Sequence, residues 1–310
     1  MRIANFACEW LKNKKNYVKE STYAFYKGNL DNYIIPYWGD FIITEITNDT
    51  IADVVNYWQH RPDINGNVMR WSTIKNILSL LKQILLFAKN NYHYKDVLSE
   101  FDLHPIKTIP DVHRKVWTLP EQHNIVDLAL NDINAKNLGI ILAISCGLRI
   151  GEICALQWKD VCIEKCIIYV RKTLQRIYLS DETPKSRVII TSPKTFSSIR
   201  EIPISDKLMK QICKISNKSD ENYILTNSSE YMEPRTYRKY FKNFLKKYNI
   251  EDLSFHCLRH SFATRCIIKG SDIKVVSGIL GHSTVNTTWN MYVHPSMQEK
   301  KKCIESADII

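Results

Sequence analysis

His256-Cys257-Leu258-Arg259-His260, followed by Leu280-Gly281-His282-Ser283 and then by Tyr292, is the stretch that decides how this chain is read. It gathers imidazoles, a guanidinium and a phenol in one short region. Arginine and histidine can grip the non-bridging oxygens of a phosphate, and a nearby tyrosine can attack its phosphorus. That set can break a nucleic-acid strand without a metal. In a helix, His256, Arg259 and His260 share one face at i, i+3 and i+4. His256 and His260 also have the spacing of a zinc-binding helix. However, Cys257 stands where zinc hydrolases carry a glutamate base, and Arg259 would crowd the cation. A capping or core histidine pair is the plain alternative. Gly281 is placed to end a helix carrying Ile273, Val276, Ile279 and Leu280, so His282 projects from its terminus. Tyr292 ends a short segment that begins at Thr284. Alone it would be packing, and only its neighbours make it a nucleophile candidate.

Two further residues upstream fit the same chemistry. In Cys146-Gly147-Leu148-Arg149-Ile150-Gly151-Glu152 an arginine follows a glycine helix stop, which can aim its planar fork in a fixed direction. Glu152, three residues later on the same helix face, can orient it. A surface Arg–Glu pair is the alternative. Lys194, in Ser192-Pro193-Lys194-Thr195, lies between two β-like runs and is expected at a hairpin tip. From there it can protonate a leaving oxygen, although a solvated loop lysine would look the same.

At 310 residues the chain is long enough for two domains, and 45% apolar content can fill two cores. The formal net charge of +11 is uneven: residues 1–110 carry 13 Lys+Arg against 11 Asp+Glu, and residues 111–310 carry 30 against 21. The excess therefore sits in the second part, as expected of a polyanion partner, although a merely basic protein would share it. The nine cysteines are odd in number, contain no Cys-x-x-Cys and follow no signal peptide. Reduced thiols in a cytoplasmic protein are expected. Leu138–Cys146, the longest apolar stretch, is too short to span a bilayer. Abundant Lys, Asn and Ile suggest an AT-rich bacterial genome.

The first hundred residues carry helical stripes. Tyr23, Tyr26, Leu30, Tyr33 and Ile34 form one, which Pro36 with Gly39 should end. Ile51, Val54, Val55 and Trp58 form a second. Ile74, Ile77, Leu78, Leu81, Leu85 and Ala88 form a third, which Ser72 can cap. His104–Val116 has two prolines and no periodicity, as a linker would. Thr118-Leu119-Pro120-Glu121 is a capping box that opens a new domain. Leu138–Cys146 is a buried helix. The β-rich runs Cys166–Val170, Val188–Thr191 and Ile199–Ile204 suggest one small antiparallel sheet. Beyond Ser205 the pattern is helical again, with Tyr237, Phe241, Phe244, Leu245 and Tyr248 opposite Arg235, Arg238, Lys239, Lys242, Lys246 and Lys247.

Taken together, Leu138 through Tyr292 resembles the catalytic domain of the tyrosine recombinase (phage integrase) family, closest to integrases of conjugative transposons and phages of Gram-positive bacteria. Ser21–Ile46, with Ile35-Pro36-Tyr37 and Gly39-Asp40, resembles the family's helical core-binding domain. The implied fold is an all-α, SAM-like amino-terminal bundle over residues 1–103, a linker over 104–116, and a mainly helical α+β catalytic domain over 117–292 with a small antiparallel sheet. A tail over 293–310 would dock on a neighbouring protomer. The resemblance implies that Tyr292 forms a 3′-phosphotyrosyl bond while Arg149, Arg259 and His282 hold the non-bridging oxygens. Lys194 would protonate the leaving 5′-oxygen, His256 would assist proton transfer, and Glu152 and His260 would support. No cofactor and no metal are expected. The implied partner is double-stranded DNA, bound by a homotetramer on paired sites at the bacterial nucleoid, with an excisionase or DNA-bending protein as a candidate accessory. The core-binding-like segment begins almost at Met1, so an additional arm-binding domain and arm sites are not expected. A Xer-type resolvase, a type IB topoisomerase and a non-catalytic DNA-binding regulator are the rival readings.

Overall fold

The apolar stripes fold as helices in the computed structural model, which describes residues 1–62, 66–94, 115–192, 198–215 and 219–292, without the side chains of Thr287, Asn290, Met291 and Tyr292. The chain divides into two units. Met1–Val112 with Arg176–Arg187 form the first, and His113–Gln175 with Val188–Ile310 form the second. The residues expected to form the linker fall largely, and the tail wholly, outside the described residues. No described helix is long and apolar enough to cross a membrane. The described cysteines are free thiols.

The first unit is helical: α1 (Ile3–Lys14), α2 (Glu20–Asn29), α3 (Ile35–Trp38), α4 (Asn48–His60) and α5 (Trp71–Tyr92). Phe6, Trp10, Ile34, Trp38, Ile51, Trp58, Leu81 and Leu85 meet in its core. Trp38 and Trp58 pack edge to face at 5.4 Å, a contact of about 0.5–1.5 kcal/mol beyond the area buried. One expectation holds in part and one fails. The first stripe ends at Gly39 but not at Pro36, because a wide π-type turn over Leu30–Ile34 joins α2 to α3. In that turn the Ile35 amide reaches five residues back to the Leu30 carbonyl, which gives the proline ring room and leaves the stop to Gly39. Ser72 does not cap α5, which starts at Trp71 behind an extended Arg70 with no side-chain cap.

Strands β3 (Thr173–Tyr178) and β4 (Ser186–Thr191) pair as a two-stranded sheet. Its turn end belongs to the first unit, where the Ser180 hydroxyl donates to the Asp31 carboxylate and Lys27 lies 3.3 Å from Asp31 and 3.7 Å from Asp181.

The second unit opens with α6 (Leu119–Asn131), α7 (Ala135–Cys146) and α8 (Ile150–Ala155). The capping box holds: the Glu121 carboxylate accepts from the Thr118 amide at 2.6 Å and from its hydroxyl at 2.8 Å. Strands β1 (Val161–Cys162), β2 (Ile167–Val170) and β5 (Arg200–Pro203) form a three-stranded antiparallel sheet in the order β1-β2-β5. Among the described residues there are therefore two small sheets where one was expected. β4 pairs with β3, and β5 pairs with β2. Lys194 lies outside the described residues. The remaining helices are α9 (Asp206–Ile215), α10 (Pro234–Lys247), α11 (His256–Ile268), α12 (Ile273–Leu280) and α13 (Val285–Tyr292). On α10 the aromatic face is buried, and Arg235, Arg238, Lys239, Lys242, Lys246 and Lys247 are exposed.

Gly147 stops α7 in the left-handed conformation, with φ +67°, and its amide bonds the Ala143 carbonyl at 3.0 Å. A Cβ there would lie 2.7 Å from the Phe262 ring and 2.8 Å from Leu280. Both neighbours are buried. Gly147→Ala combines left-handed strain with overpacking and is expected to cost about 2 kcal/mol or more. A urea titration measures it, and an unchanged midpoint would show that the site relaxes freely.

Candidate functional site

Helix α12 ends at Leu280 because Gly281, at φ +65°, turns the chain left-handed. The Gly281 amide bonds the Gly278 carbonyl at 3.0 Å and the His282 amide bonds the Ser277 carbonyl at 3.1 Å. This is a Schellman-type stop, and it leaves carbonyls at the helix terminus without intrahelical partners. Arginines fill that gap. Ile279, Leu280 and Gly281, three consecutive carbonyls, each accept from a different one: Arg200 Nε at 2.5 Å, Arg259 Nη2 at 2.7 Å and Arg149 Nη2 at 3.2 Å. Residue His282 follows immediately.

Arg259, on the first turns of α11, is 1% exposed. Its Nη1 also donates to the Gly147 carbonyl at 2.7 Å, so one guanidinium closes the C-terminal ends of both α7 and α12. Arg149 opens α8. The Glu152 carboxylate accepts from the Arg149 amide at 2.9 Å and from its Nη1 at 2.7 Å. Glu152 is only 3% exposed, which excludes the surface-pair reading. Arg200 takes the same carboxylate in a fork, Nη1 at 3.0 Å and Nη2 at 2.9 Å. Burial by itself would raise the Glu152 carboxyl, but the Arg200 and Arg149 guanidiniums outweigh it and hold it at about 2.

The His282 Nδ1 lies 2.7 Å from the buried Thr288 hydroxyl on α13. Burial first, then the charges of Arg259, Arg149, His256 and Arg200, push this imidazole down from 6.5 to about 4. It is therefore neutral at physiological pH. Between about pH 6.5 and 4 the unfolded chain takes up a proton here that the folded chain refuses. This contribution to stability is thus full above about 6.5 and is lost as pH falls through the window. His282→Gln is expected to flatten the fall of Tm with acidification, and an unchanged slope would assign that loss to other groups.

His256 is exposed at the start of α11, while His260, one turn on, is buried beneath it; their rings meet edge to face at 4.4 Å. Tyr292 is the last residue of α13, one turn after Thr288. The expected residues Arg149, Glu152, Arg259 and His282 are thus assembled around one helix terminus. His256 and His260 flank them on α11.

Reading by residue type missed Arg200 and Thr288. A signal for Arg200 existed. It precedes buried Ile202 by two residues on β5 and pairs with buried Val170 on β2, so strand alternation turns it inward. An inward arginine requires a carboxylate, and Glu152 was already in view. Thr288 had no local signal, because its contact with His282 crosses a turn.

A mainly helical unit followed by a helical α+β unit, with arginines and a histidine gathered at one helix terminus, is the architecture of the integrase class. The chain belongs to the phage integrase family, which matches residues 118–299; the N-terminal SAM-like domain of phage integrases matches residues 3–59. A XerC-like tyrosine recombinase of Caldanaerobacter subterraneus subsp. tengcongensis is 29% identical over 184 residues, 54% of this chain. That alignment spans 47% of the relative, so the chain covers about half of it. The ICEBs1 integrase of Bacillus subtilis is 23% identical over 316 residues, 97% of this chain and 80% of that one. The Tn1549 transposon integrase, solved in complex with transposon right end DNA, shares the fold with a TM-score of 0.75 at 21% identity, over 99% of each chain.

Proposed function

We propose that the protein is a site-specific integrase that cuts and rejoins double-stranded DNA through a 3′-phosphotyrosine at Tyr292, for integration and excision of a mobile element. The observation that carries this reading is the α12 terminus, where three guanidiniums converge, two of them sharing the Glu152 carboxylate, beside a neutral imidazole. The surplus positive charge suits a phosphodiester, and it is held before substrate arrives. Arg149, Arg259 and His282 hold the non-bridging oxygens of the pentacoordinate phosphate. The Tyr292 oxygen bonds to phosphorus as the bond to the 5′-oxygen breaks. Lys194 gives that oxygen its proton, and His256 assists proton transfer from the phenol. The phosphotyrosine keeps the energy of the broken bond, so another strand's 5′-hydroxyl reverses the step and reseals the DNA.

The working form is a homotetramer on paired sites, acting on cytoplasmic, nucleoid DNA with an excisionase or DNA-bending protein as accessory. The proposed division is a core-binding domain over 1–103, a linker over 104–116, a catalytic domain over 117–292 and a docking tail over 293–310. The basic face of α10 adds non-specific phosphate contacts. A Xer-type resolvase of chromosome or plasmid dimers is the second reading, supported by the XerC-like relative. The ICEBs1 match, over 97% of the chain against 54%, favours the mobile-element role.

The test uses nicked duplexes carrying the candidate element ends, incubated with the protein in EDTA and run on a denaturing gel. A covalent adduct supports the reading. No adduct on DNA shown to be bound would leave a DNA-binding regulator instead.

A further inference from the structure

We infer that Arg200 is a positioning residue for the proposed phosphate-binding Arg149: through Glu152 it fixes that guanidinium and keeps its charge from being cancelled. The inference rests on the function proposed above. Within the triad, exposure separates the roles. The side chains of Glu152 and Arg200 are 3% and 6% exposed, whereas that of Arg149 is 34% exposed. Arg149 is therefore the outermost member of the triad, with the other two beneath it.

The charge balance supplies the mechanism. With Arg149 and Glu152 alone, 2.7 Å apart, cation and anion cancel, and a neutral pair attracts a phosphate poorly. Arg200 grips the same carboxylate at 3.0 and 2.9 Å, which makes the triad net positive. It also anchors the triad. Its Nε holds the Ile279 carbonyl on α12, and its Nη1 also holds the Ser198 carbonyl at 3.2 Å. One planar fork thus joins β5, the first turn of α8 and the α12 turn that presents His282. A lysine ammonium, a single point donor on a flexible stem, cannot reproduce that span.

Arg200→Gln and Arg200→Gln/Glu152→Gln test the inference on the nicked duplex described above. One set of duplexes carries a normal scissile phosphate, and the other an uncharged methylphosphonate at that position. Arg200→Gln is expected to bind the duplex with near wild-type affinity while adduct formation falls on the order of 10²-fold, the scale of one lost charge-stabilising donor. The double variant should recover roughly tenfold of that loss, because it also removes the stranded carboxylate charge. On the methylphosphonate, which needs less positive charge, the Arg200→Gln defect should shrink. Additive losses in the double variant, or equal defects on both substrates, would reduce Arg200 to a fold residue. Thermal melting checks folding. If Arg200→Gln does not fold, Arg200→Lys replaces it and is expected to lose less, since it keeps the charge and drops the fork.

A readout independent of cutting separates this inference from the function on which it rests. The Arg149 Nε–H correlation in a ¹⁵N spectrum, assigned by its absence in Arg149→Lys, should be sharp in wild type and broadened in Arg200→Gln. A wild type that forms no adduct overturns the recombinase reading. An Arg149 signal unchanged in Arg200→Gln overturns the positioning role.

Discussion

Tyr292→Phe is expected to abolish the covalent protein–DNA adduct while leaving DNA affinity nearly unchanged. The substitution removes one oxygen and keeps the ring, so the end of α13 loses its proposed nucleophile with little change in side-chain volume. Binding draws mainly on phosphate contacts by lysines and arginines, and none of those is altered. Loss of a covalent nucleophile leaves only residual catalysis, so adduct formation should fall roughly 10⁴-fold or more, below detection on a gel. The measurement is the nicked-duplex assay in EDTA, with a gel-shift titration run alongside. An adduct of wild-type yield from Tyr292→Phe would mean that another residue attacks the phosphate. The proposed roles of Arg149, Arg259 and His282 could survive that result, because they depend on the anion site and not on which nucleophile enters it.

Much of the site was legible in the sequence because local rules govern its parts. Leu280-Gly281-His282 reads as a helix stop because a left-handed residue is cheapest as glycine, and the residue after it must leave the helix. Arg149 and Glu152 read as a pair because i and i+3 share a helix face. Thr118 and Glu121 read as a capping box for the same kind of reason, and all three held. What could not be read was set by distant partners. Arg200 lies 48 residues from Glu152, and no local pattern names its carboxylate. Pro36 misled because a stop signal assumes an α-helical turn, whereas the wider turn before it tolerates the ring. The β-rich runs were located correctly, but pairing depends on the fold around them, so β4 was assigned to the wrong neighbour. Even the fate of α12 is shared between levels. Gly281 ends it locally, yet arginines from α8, β5 and α11 satisfy the carbonyls it leaves.

Arg259→Ala is expected to show how closely that terminus joins fold and function, because the arginine holds the fold and is proposed to hold the phosphate. As a fold element its guanidinium holds the Gly147 and Leu280 carbonyls, each at 2.7 Å, in a site with almost no solvent. Alanine would strand two buried acceptors and open a cavity, with each lost charged hydrogen bond worth about 1.5–3 kcal/mol. As a proposed phosphate ligand the same group stabilises the transition state, and one such donor is worth about 2.7–4 kcal/mol, or 10²–10³ in rate. The variant should therefore melt several degrees lower and cleave on the order of 10³-fold more slowly or worse. Arg259→Lys separates the two contributions. It keeps the cation but cannot reach both carbonyls, so it should recover part of the rate and little of the stability. His282 provides an internal control. After burial, the Arg259 charge does most to hold its imidazole down, so in Arg259→Ala the acid window for His282 protonation should shift upward from about 4. If Arg259→Ala melted lower yet cleaved at the wild-type rate, Arg259 would be a helix-end clamp alone, and Arg149 would carry the phosphate with His282.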